Sequence, residues 1–546
     1  MFKKLLAIAL VFTMLFSIGS VSATALAPAS KEVKAVSADI SFGDRIASFF
    51  YYILDRVLNF ALSFLNLYIP KQEWTKKADY EPVNFYEGTE IFDDVPKAGA
   101  KWSLGYSSAS LIEGRDVLDG KHYMGGGLEI LEPKVCTSVL DDQRVRAFAI
   151  SDGSDGIVCY AVLDAYALCS GDVLAIRELL KTFAQENDIV SINVGVLHQH
   201  SCIDTLGMNG ELIRALVQNT SVLAGILDGE LHSGRNPEFM DNLRNVVANT
   251  IKEAVEDMKD GDLYYGTAYA EDIIKDKRDP QLFDPNLNRL RFIPYAESAA
   301  ETWIVSAGIH CVGLGANTTE LSSDFPYYVE QELKAQKGVN FVFIQGAQLA
   351  ITSDGSYTSI EGNSRLGNVQ LYASEITRRL IDINNDEIVA PLLNIRLKQV
   401  YLPVENQVLT LCANLGIFDT TVIDVGDGSY EMVSEIGYME LGNNLAMFLA
   451  PGELAPEIAY GGAITAEDSW NGKSWDYTSI EDYISGSGRR LLVYGIMNDE
   501  VGYILTDNDY RSLFTENEEV NASSGKAGST VMEGFMSLYD ELRAAY

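Results

Sequence analysis

A strand, a helix and a second strand follow one another between residues 156 and 201, and this unit constrains the fold more than any other stretch. "GIVCYAVLDAY" is a short apolar strand, "SGDVLAIRELLKTFAQEND" opens on a serine cap and runs on as an amphipathic helix, and "IVSINVGVLHQHS" is strand-like again. A crossover of this length implies that the two strands lie parallel. Asp164 and the pair His198/His200 then fall at the carboxyl ends of neighbouring strands, where open α/β sheets place their sites. Residues two apart on a strand share a face, so His198 and His200 are expected to project together.

Later segments continue the mixture. "NPEFMDNLRNVVANTIKEAVEDMK" and "DFPYYVEQELKAQKG" read as helices, and "ETWIVSAGIHCVG" and "VNFVFIQGAQLAI" as buried strands. "LNIRLKQVYLPV" and "NQVLTLCANLGIF" read as antiparallel partners, and a last amphipathic helix follows the loop "NASSGKAGST". "SDGSDG" and "DVGDGSY" fail the spacing of a calcium loop and read as hairpin turns. The fold class is mixed α/β, layered or sandwich-like, with both parallel and antiparallel strands.

Before this body, residues 1–23 carry Lys3 and Lys4, an apolar run and a small-x-small ending at Val21, Ser22 and Ala23, the pattern of a secretory signal peptide. Residues 24–97 form an N-terminal segment with an amphipathic apolar helix at about 45–70 and a polar linker, and 98–546 form the main domain. Asp55 and Arg56 argue against a membrane span; a helix lying on a membrane surface and one docked on the protein both fit. Export, to the medium or the cell surface, is the expected address. No cysteine follows the apolar run until Cys136, so no lipid-modified amino terminus is expected, and six cysteines are too few for a disulfide scaffold. A formal charge of −36 excludes nucleic acid as a partner, since phosphate recognition needs basic patches.

Only five histidines occur in the chain, and His310 ends another apolar strand. Hydrolytic zinc sites take about three protein ligands, commonly imidazoles with a carboxylate, and leave a position open. Glu453, in "FLAPGELAPEIA", sits in a Pro-Gly turn after an apolar strand and is the carboxylate candidate. Taken singly, the histidine pair also reads as core packing and Glu453 as a helix cap. The chain has no G-x-S-x-G elbow, H-E-x-x-H helix, Walker loop or dinucleotide fingerprint.

From about residue 98 onward, five stretches in order resemble the catalytic domain of the neutral/alkaline, non-lysosomal ceramidases, secreted zinc amidases that cleave the N-acyl bond of ceramide. "GYSSASLIEGRDVLDGKHYMGGG" resembles the glycine-rich opening, and "NVGVLHQHSC" the strand ending in Thr-His-Thr-His-Ser. "IVSAGIHCVGLGANTTELSSDFPYYV" resembles the strand bearing the second metal histidine, "FLAPGELAPEIA" the Pro-Ala-Glu turn, and "YGIMNDEVGYILTDNDY" the Asn-Ala-Tyr-x-x-Tyr-Val-Thr-Thr segment. The resemblance implies that His198, His310, Glu453 and Tyr503 bind Zn2+, with His200 as acid/base. It also implies that Arg278 orients the substrate, an N-acyl sphingoid or related lipid.

The chain departs from that pattern at several places. Thr352, in "LAITSDG", stands at the position of the catalytic serine; Gln199 replaces a threonine; and a second active-site tyrosine has no counterpart near "RSLFTENEE". A carboxy-terminal immunoglobulin-like domain is not expected. Two alternatives therefore stand beside the amidase: a non-catalytic surface or lipid-binding relative, and a zinc hydrolase acting on a different acylated substrate.

Overall fold

In the computed structural model, the described residues are 73–544 apart from 127–132, 155, 212–232, 359, 468, 470–471 and 511–520, together with Phe60 and Ser63. The signal segment and nearly all of the 45–70 helix lie outside them. Among the described residues no helix is long and apolar enough to cross a membrane.

Alternation along single strands builds two sheets back to back. The first has nine strands: β1 (Trp102–Ser110), β2 (Arg144–Ser151), β3 (Ile157–Leu163), β4 (Ile189–Val196), β5 (Lys259–Tyr269), β6 (Asn286–Pro294), β7 (Thr302–Ala307), β8 (Asn340–Gln345) and β9 (Glu387–Val389). Its order is β8-β7-β6-β5-β1-β2-β3-β4, with β9 also paired to β5. The second contains β10 (Leu393–Pro403), β11 (Val422–Gly426), β12 (Ser429–Leu441), β13 (Leu445–Leu449) and β14 (Arg490–Tyr494), with Thr75–Lys76 beside β11.

On β3, Val158, Tyr160 and Val162 point into the core between the sheets, while Cys159, Ala161 and Leu163 face outward under helices α1 (Ser170–Glu186) and α2 (Pro237–Glu256). On β12, Met439 and Leu441 face inward, while Ile436 and Tyr438 pack under the last helix. The Tyr160 hydroxyl meets the Met439 sulfur at 3.2 Å across the interface. Helices α3 (Asp324–Lys337) and α4 (Arg365–Ile381) cover β8 and β5. The result is a four-layer sandwich of helix, sheet, sheet and helix, as the mixed layered pattern implied. All six cysteines are buried free thiols.

Two local expectations change. "NQVLTLCANLGIF" forms the helix α5 (Gln407–Asn414), not a strand. The Asn406 side chain accepts from the Val408 N–H and caps it, and β10 is already paired along its whole length with β12. α1 begins one residue earlier than the serine cap suggests: Cys169 occupies the cap, and the Ser170 hydroxyl accepts from the Thr421 N–H.

Asp164, just past β3, is fully buried against Arg146 of β2 at 2.8 Å, and the same guanidinium holds Glu330 of α3 at 2.6 Å. Arg146→Ala would leave two carboxylates enclosed without their partner. It should lower unfolding free energy by about 3–5 kcal/mol, measured by chemical denaturation, whereas a loss under about 1 kcal/mol would mean that water reaches the acids.

Candidate metal centre

Three pairs of neighbouring strands run parallel, β3 with β4, β7 with β8, and β13 with β14, and all six end at the same edge of the sandwich. The segments just beyond these ends carry Tyr166, His198 and His200, His310, Gln348, Glu453, and Glu500. Their backbones are laced together. Gly346 N–H donates to the Ala307 carbonyl, Gly495 N–H to Gln345, Asn498 N–H to Val194, and His200 N–H to Cys311.

His198 and His200 meet for a different reason from the expected one. β4 stops at Val196, so strand alternation does not reach them. His198 instead takes a left-handed backbone, φ 55°, between two bonds that continue the β3 pairing, Leu197 N–H to the Leu163 carbonyl and Gln199 N–H to Ala165. This sharp turn brings the His198 and His200 rings to 4.8 Å and the His198 and His310 rings to 5.2 Å between centroids. Ala350, Ile496 and Asn498 are also non-glycine residues with positive φ in these same loops, so backbone strain concentrates at this edge.

Each imidazole is oriented by a carbonyl. The Nδ1 atoms of His198, His200 and His310 lie 3.0, 2.7 and 2.8 Å from the oxygens of Tyr166, Gly126 and Ile351. A carbonyl only accepts, so all three Nδ1 atoms carry hydrogen and, in the neutral rings, every Nε2 presents a lone pair. Gly126 must be glycine: its φ is 85°, and a Cβ there would sit 2.4 Å from the His200 Cα.

Two of those lone pairs face carboxylate oxygens. His310 Nε2 is 2.8 Å and His198 Nε2 3.3 Å from the two oxygens of Glu453, and Gln348 Nε2 lies 3.4 Å from one of them. The three imidazoles each place a nitrogen within 4.8 Å of the others, and His198, Glu453 and Glu500 do the same with one donor atom each. His200 Nε2 and Glu500 Oε2 are enclosed and make no hydrogen bond. Nitrogen and oxygen lone pairs crowded together repel unless a proton or a cation lies among them, and the donor types suit a divalent transition ion. The residues therefore fit the metal that the sequence resemblance implies.

The electrostatics agree. Burial holds the His198 imidazole down at about 4 and His200 well below its ordinary 6.5, so both are neutral near pH 7. Burial works to raise Glu453, but His198 and His310 outweigh it and hold this carboxyl below the usual range. Burial, reinforced by the nearby Glu453, holds Glu500 well above it.

Of the remaining predicted residues, Tyr503 is buried in register with Glu453 on a two-residue parallel pair, Glu453–Leu454 with Tyr503–Ile504. Thr352 follows the carbonyl that holds His310 and pairs with Lys275 on a neighbouring short strand. Arg278 is braced between Asp276 and Glu457, making bonds of 2.9 and 3.0 Å to the latter. Tyr166, Gln345, Gln348 and Glu500 were not singled out from sequence, although Glu500 lies within the quoted "NDEVGY" and is its one glutamate.

An apolar cavity opens beside the cluster. His198, Glu453 and Glu500 stand at one side, and Leu206, Leu409, Phe418 and Met432 are among its walls.

Fold and site together define a layered α/β sandwich with a histidine–carboxylate cluster at the carboxyl ends of its parallel strands. Among solved structures, the chain is similar to the neutral ceramidase from Pseudomonas aeruginosa, at 14% identity and a TM-score of 0.59, over 81% of this chain and 75% of that one. It is likewise similar to a ceramidase complexed with C2, at 13% identity and a TM-score of 0.59, over 81% of this chain and 76% of that one. The chain thus has a neutral-ceramidase-like fold. No protein-family profile and no curated protein matches the sequence.

Two outcomes follow from this geometry. The Gln345 side chain donates to the carbonyls of Leu197 and Ile309 at 2.9 and 2.7 Å and accepts from the Ile309 N–H at 3.1 Å, bridging the residues just before His198 and His310. Gln345→Leu should cost about 1–3 kcal/mol per buried group left unpaired, read by denaturant titration; an unchanged midpoint would mean that the loops hold themselves. In the metal-free protein, the His198 ring resonance should stay neutral from pH 8 down to about 5 and titrate near 4. A midpoint near the ordinary 6.5 would place this imidazole in water.

Proposed function

We propose that the protein is an exported zinc-dependent amidohydrolase of the ceramidase kind, cleaving the N-acyl amide of a sphingoid or related lipid. The observation that carries this reading is the convergence of His198, His310 and Glu453, from three distant segments, on a neutral-ceramidase-like fold. The apolar cavity at the cluster is suited to an aliphatic chain, and the amphipathic apolar sequence of residues 45–70 to a lipid surface.

His198, His310 and Glu453 would hold the ion, with Tyr503 beside Glu453. A divalent ion so held supplies Lewis acidity, which makes water a nucleophile near neutral pH and polarises a carbonyl. His200, neutral and with Nε2 enclosed and unbonded, takes a proton from the attacking water. Its depressed basicity means that the imidazolium gives the proton up readily to the departing amine. The ring of Tyr166, 4.5 Å from His198 and 5.4 Å from His200, packs against both and limits their rotation. Thr352 would act at the serine position of the resembled segment. Arg278 would orient substrate from its place beside Glu457.

A second reading, a non-catalytic lipid-binding relative, draws on the engagement of Arg278 with two protein carboxylates and on threonine at the serine position. A related variant keeps the hydrolase and changes its substrate to another acylated amine or an ester. The purified full chain, assayed for zinc content and against a panel of N-acyl lipids, separates these. His198→Ala should remove stoichiometric zinc and lower kcat/KM by at least about 100-fold, beyond the 10–100-fold typical of an outer-shell partner. Full activity without metal would overturn the zinc-dependent mechanism; bound zinc without turnover of any amide or ester would favour the binder.

A further inference from the structure

Glu500 is the one acid in the cluster that neither the composition nor the resemblance singled out. It stands where the resembled Asn-Ala-Tyr-x-x-Tyr segment has its first tyrosine, so the carboxylate is a feature of this chain. Its side chain is 6% exposed, and Oε1 accepts from the Gly502 N–H at 3.0 Å while Oε2 is enclosed with no hydrogen-bond partner. Oε2 lies 3.7 Å from His198 Nδ1, the nitrogen engaged by the Tyr166 carbonyl, and Glu500 can present a donor atom within 4.8 Å of donor atoms of both His198 and Glu453.

The loop around it is built for that position. Ile496 and Asn498 hold left-handed backbones at φ 51° and 68°, a conformation that is strained for a β-branched residue. The Asn498 side chain accepts from the Val194 N–H, and Asn498 N–H donates back to the Val194 carbonyl, so the loop is pinned to β4, the strand that delivers His198. The Glu500 N–H donates to the Asp499 side chain, which closes the turn.

Among the described residues, the only ion pairs of Glu453 and Glu500 are with His198 and His310. Two neighbouring enclosed carboxyl groups without arginine or lysine call for a cation. We infer that Glu500 is a direct ligand of the metal held by His198 and Glu453, giving the ion a second carboxylate. This deepens the hydrolase reading, resting on its metal centre and not on its substrate. Two carboxylates neutralise a divalent charge, raise the number of protein donors, and make the site more receptive to harder ions than one with a single acid.

The test uses the full chain freed of metal with a chelator and titrated with Zn2+ against a chromogenic competitor, comparing wild type, Glu500→Gln, Glu500→Asp and Tyr503→Phe. Glu500→Gln should weaken zinc binding by more than about 100-fold, beyond the effect of an outer-shell partner. Glu500→Asp, which keeps the charge on a shorter arm, should fall between it and wild type. With Co2+ in place of zinc, wild type should show the weak visible bands of a five- or six-coordinate ion, and Glu500→Gln the stronger bands of a tetrahedral one. The inference is overturned if Glu500→Gln binds zinc within about 10-fold of wild type with an unchanged cobalt spectrum. It is also overturned if wild type binds no metal, while a loss in Tyr503→Phe alone, with Glu500→Gln like wild type, would give the position to the phenol instead. Failure of the lipid assays with these metal results intact would sink only the amidase reading. Should Glu500→Gln fail to fold, the Glu500→Asp titration and spectrum decide by the same criteria.

Discussion

The carboxamide of Gln345 is the link on which the rest of the site depends. It ends β8, lies fully buried, and ties the chain just before His198 to the chain just before His310 through two carbonyls and one N–H. A carboxamide is one of few neutral side chains able to donate twice and accept within one rigid plane. The Gly495 N–H binds the Gln345 carbonyl, so the end of β14, in the other sheet, joins the same knot. The ligand-bearing loops therefore have no independent freedom, and the geometry of the cluster is that of the sandwich edge itself.

Charge is managed differently at this edge from elsewhere. Several other buried carboxylates meet arginine: Glu435 faces Arg177 at 2.8 and 2.9 Å, Glu457 faces Arg278, and Asp164 faces Arg146 at 2.8 Å, while Asp141, Asp204 and Asp324 accept from backbone N–H groups and hydroxyls. Such pairs recover part of their desolvation through geometry and bidentate bonding. At the cluster the partners are imidazoles whose outer nitrogens are already committed to carbonyls. An arginine there would neutralise Glu453 permanently and fill the space. Neutral imidazoles leave the lone pairs exposed to one another and keep the site receptive to a cation, at the cost of strain that four positive-φ residues record.

Much of this was legible in the chain. The crossover from β3 to β4 fixed the parallel pair, carboxyl-end placement pointed to Asp164, His198 and His200, and a strand end and a Pro-Gly turn marked His310 and Glu453, because periodicity and turn residues are local signals. The resemblance brought Tyr503, whose register beside Glu453 follows from a pairing of residues fifty apart. What stayed hidden was long-range. Gln345 in "FIQG" reads as an ordinary strand end, since its partners lie 148 and 36 residues away. Glu500 reads as a loop acid, since only the fold sets it against His198. Residues 407–414 misled because a short apolar run carries no period long enough to separate helix from strand, and the asparagine cap was the better signal.

Donors drawn from both sheets tie metal affinity to the integrity of the whole sandwich. His198 and His310 lie on loops leaving the nine-stranded sheet, Glu453 and Glu500 on loops leaving the second. A slip of either sheet by one residue would reverse the faces of Tyr160 or Met439 in the shared core and would also separate histidine from carboxylate. An ion that binds only the assembled edge stabilises the fold by mass action, since the unfolded chain offers no such arrangement. Tight inter-sheet packing and a strained, lone-pair-rich edge are thus complementary: the core holds the donors at distances they would not keep unaided, and a cation bound among them would relieve the repulsion that the core enforces.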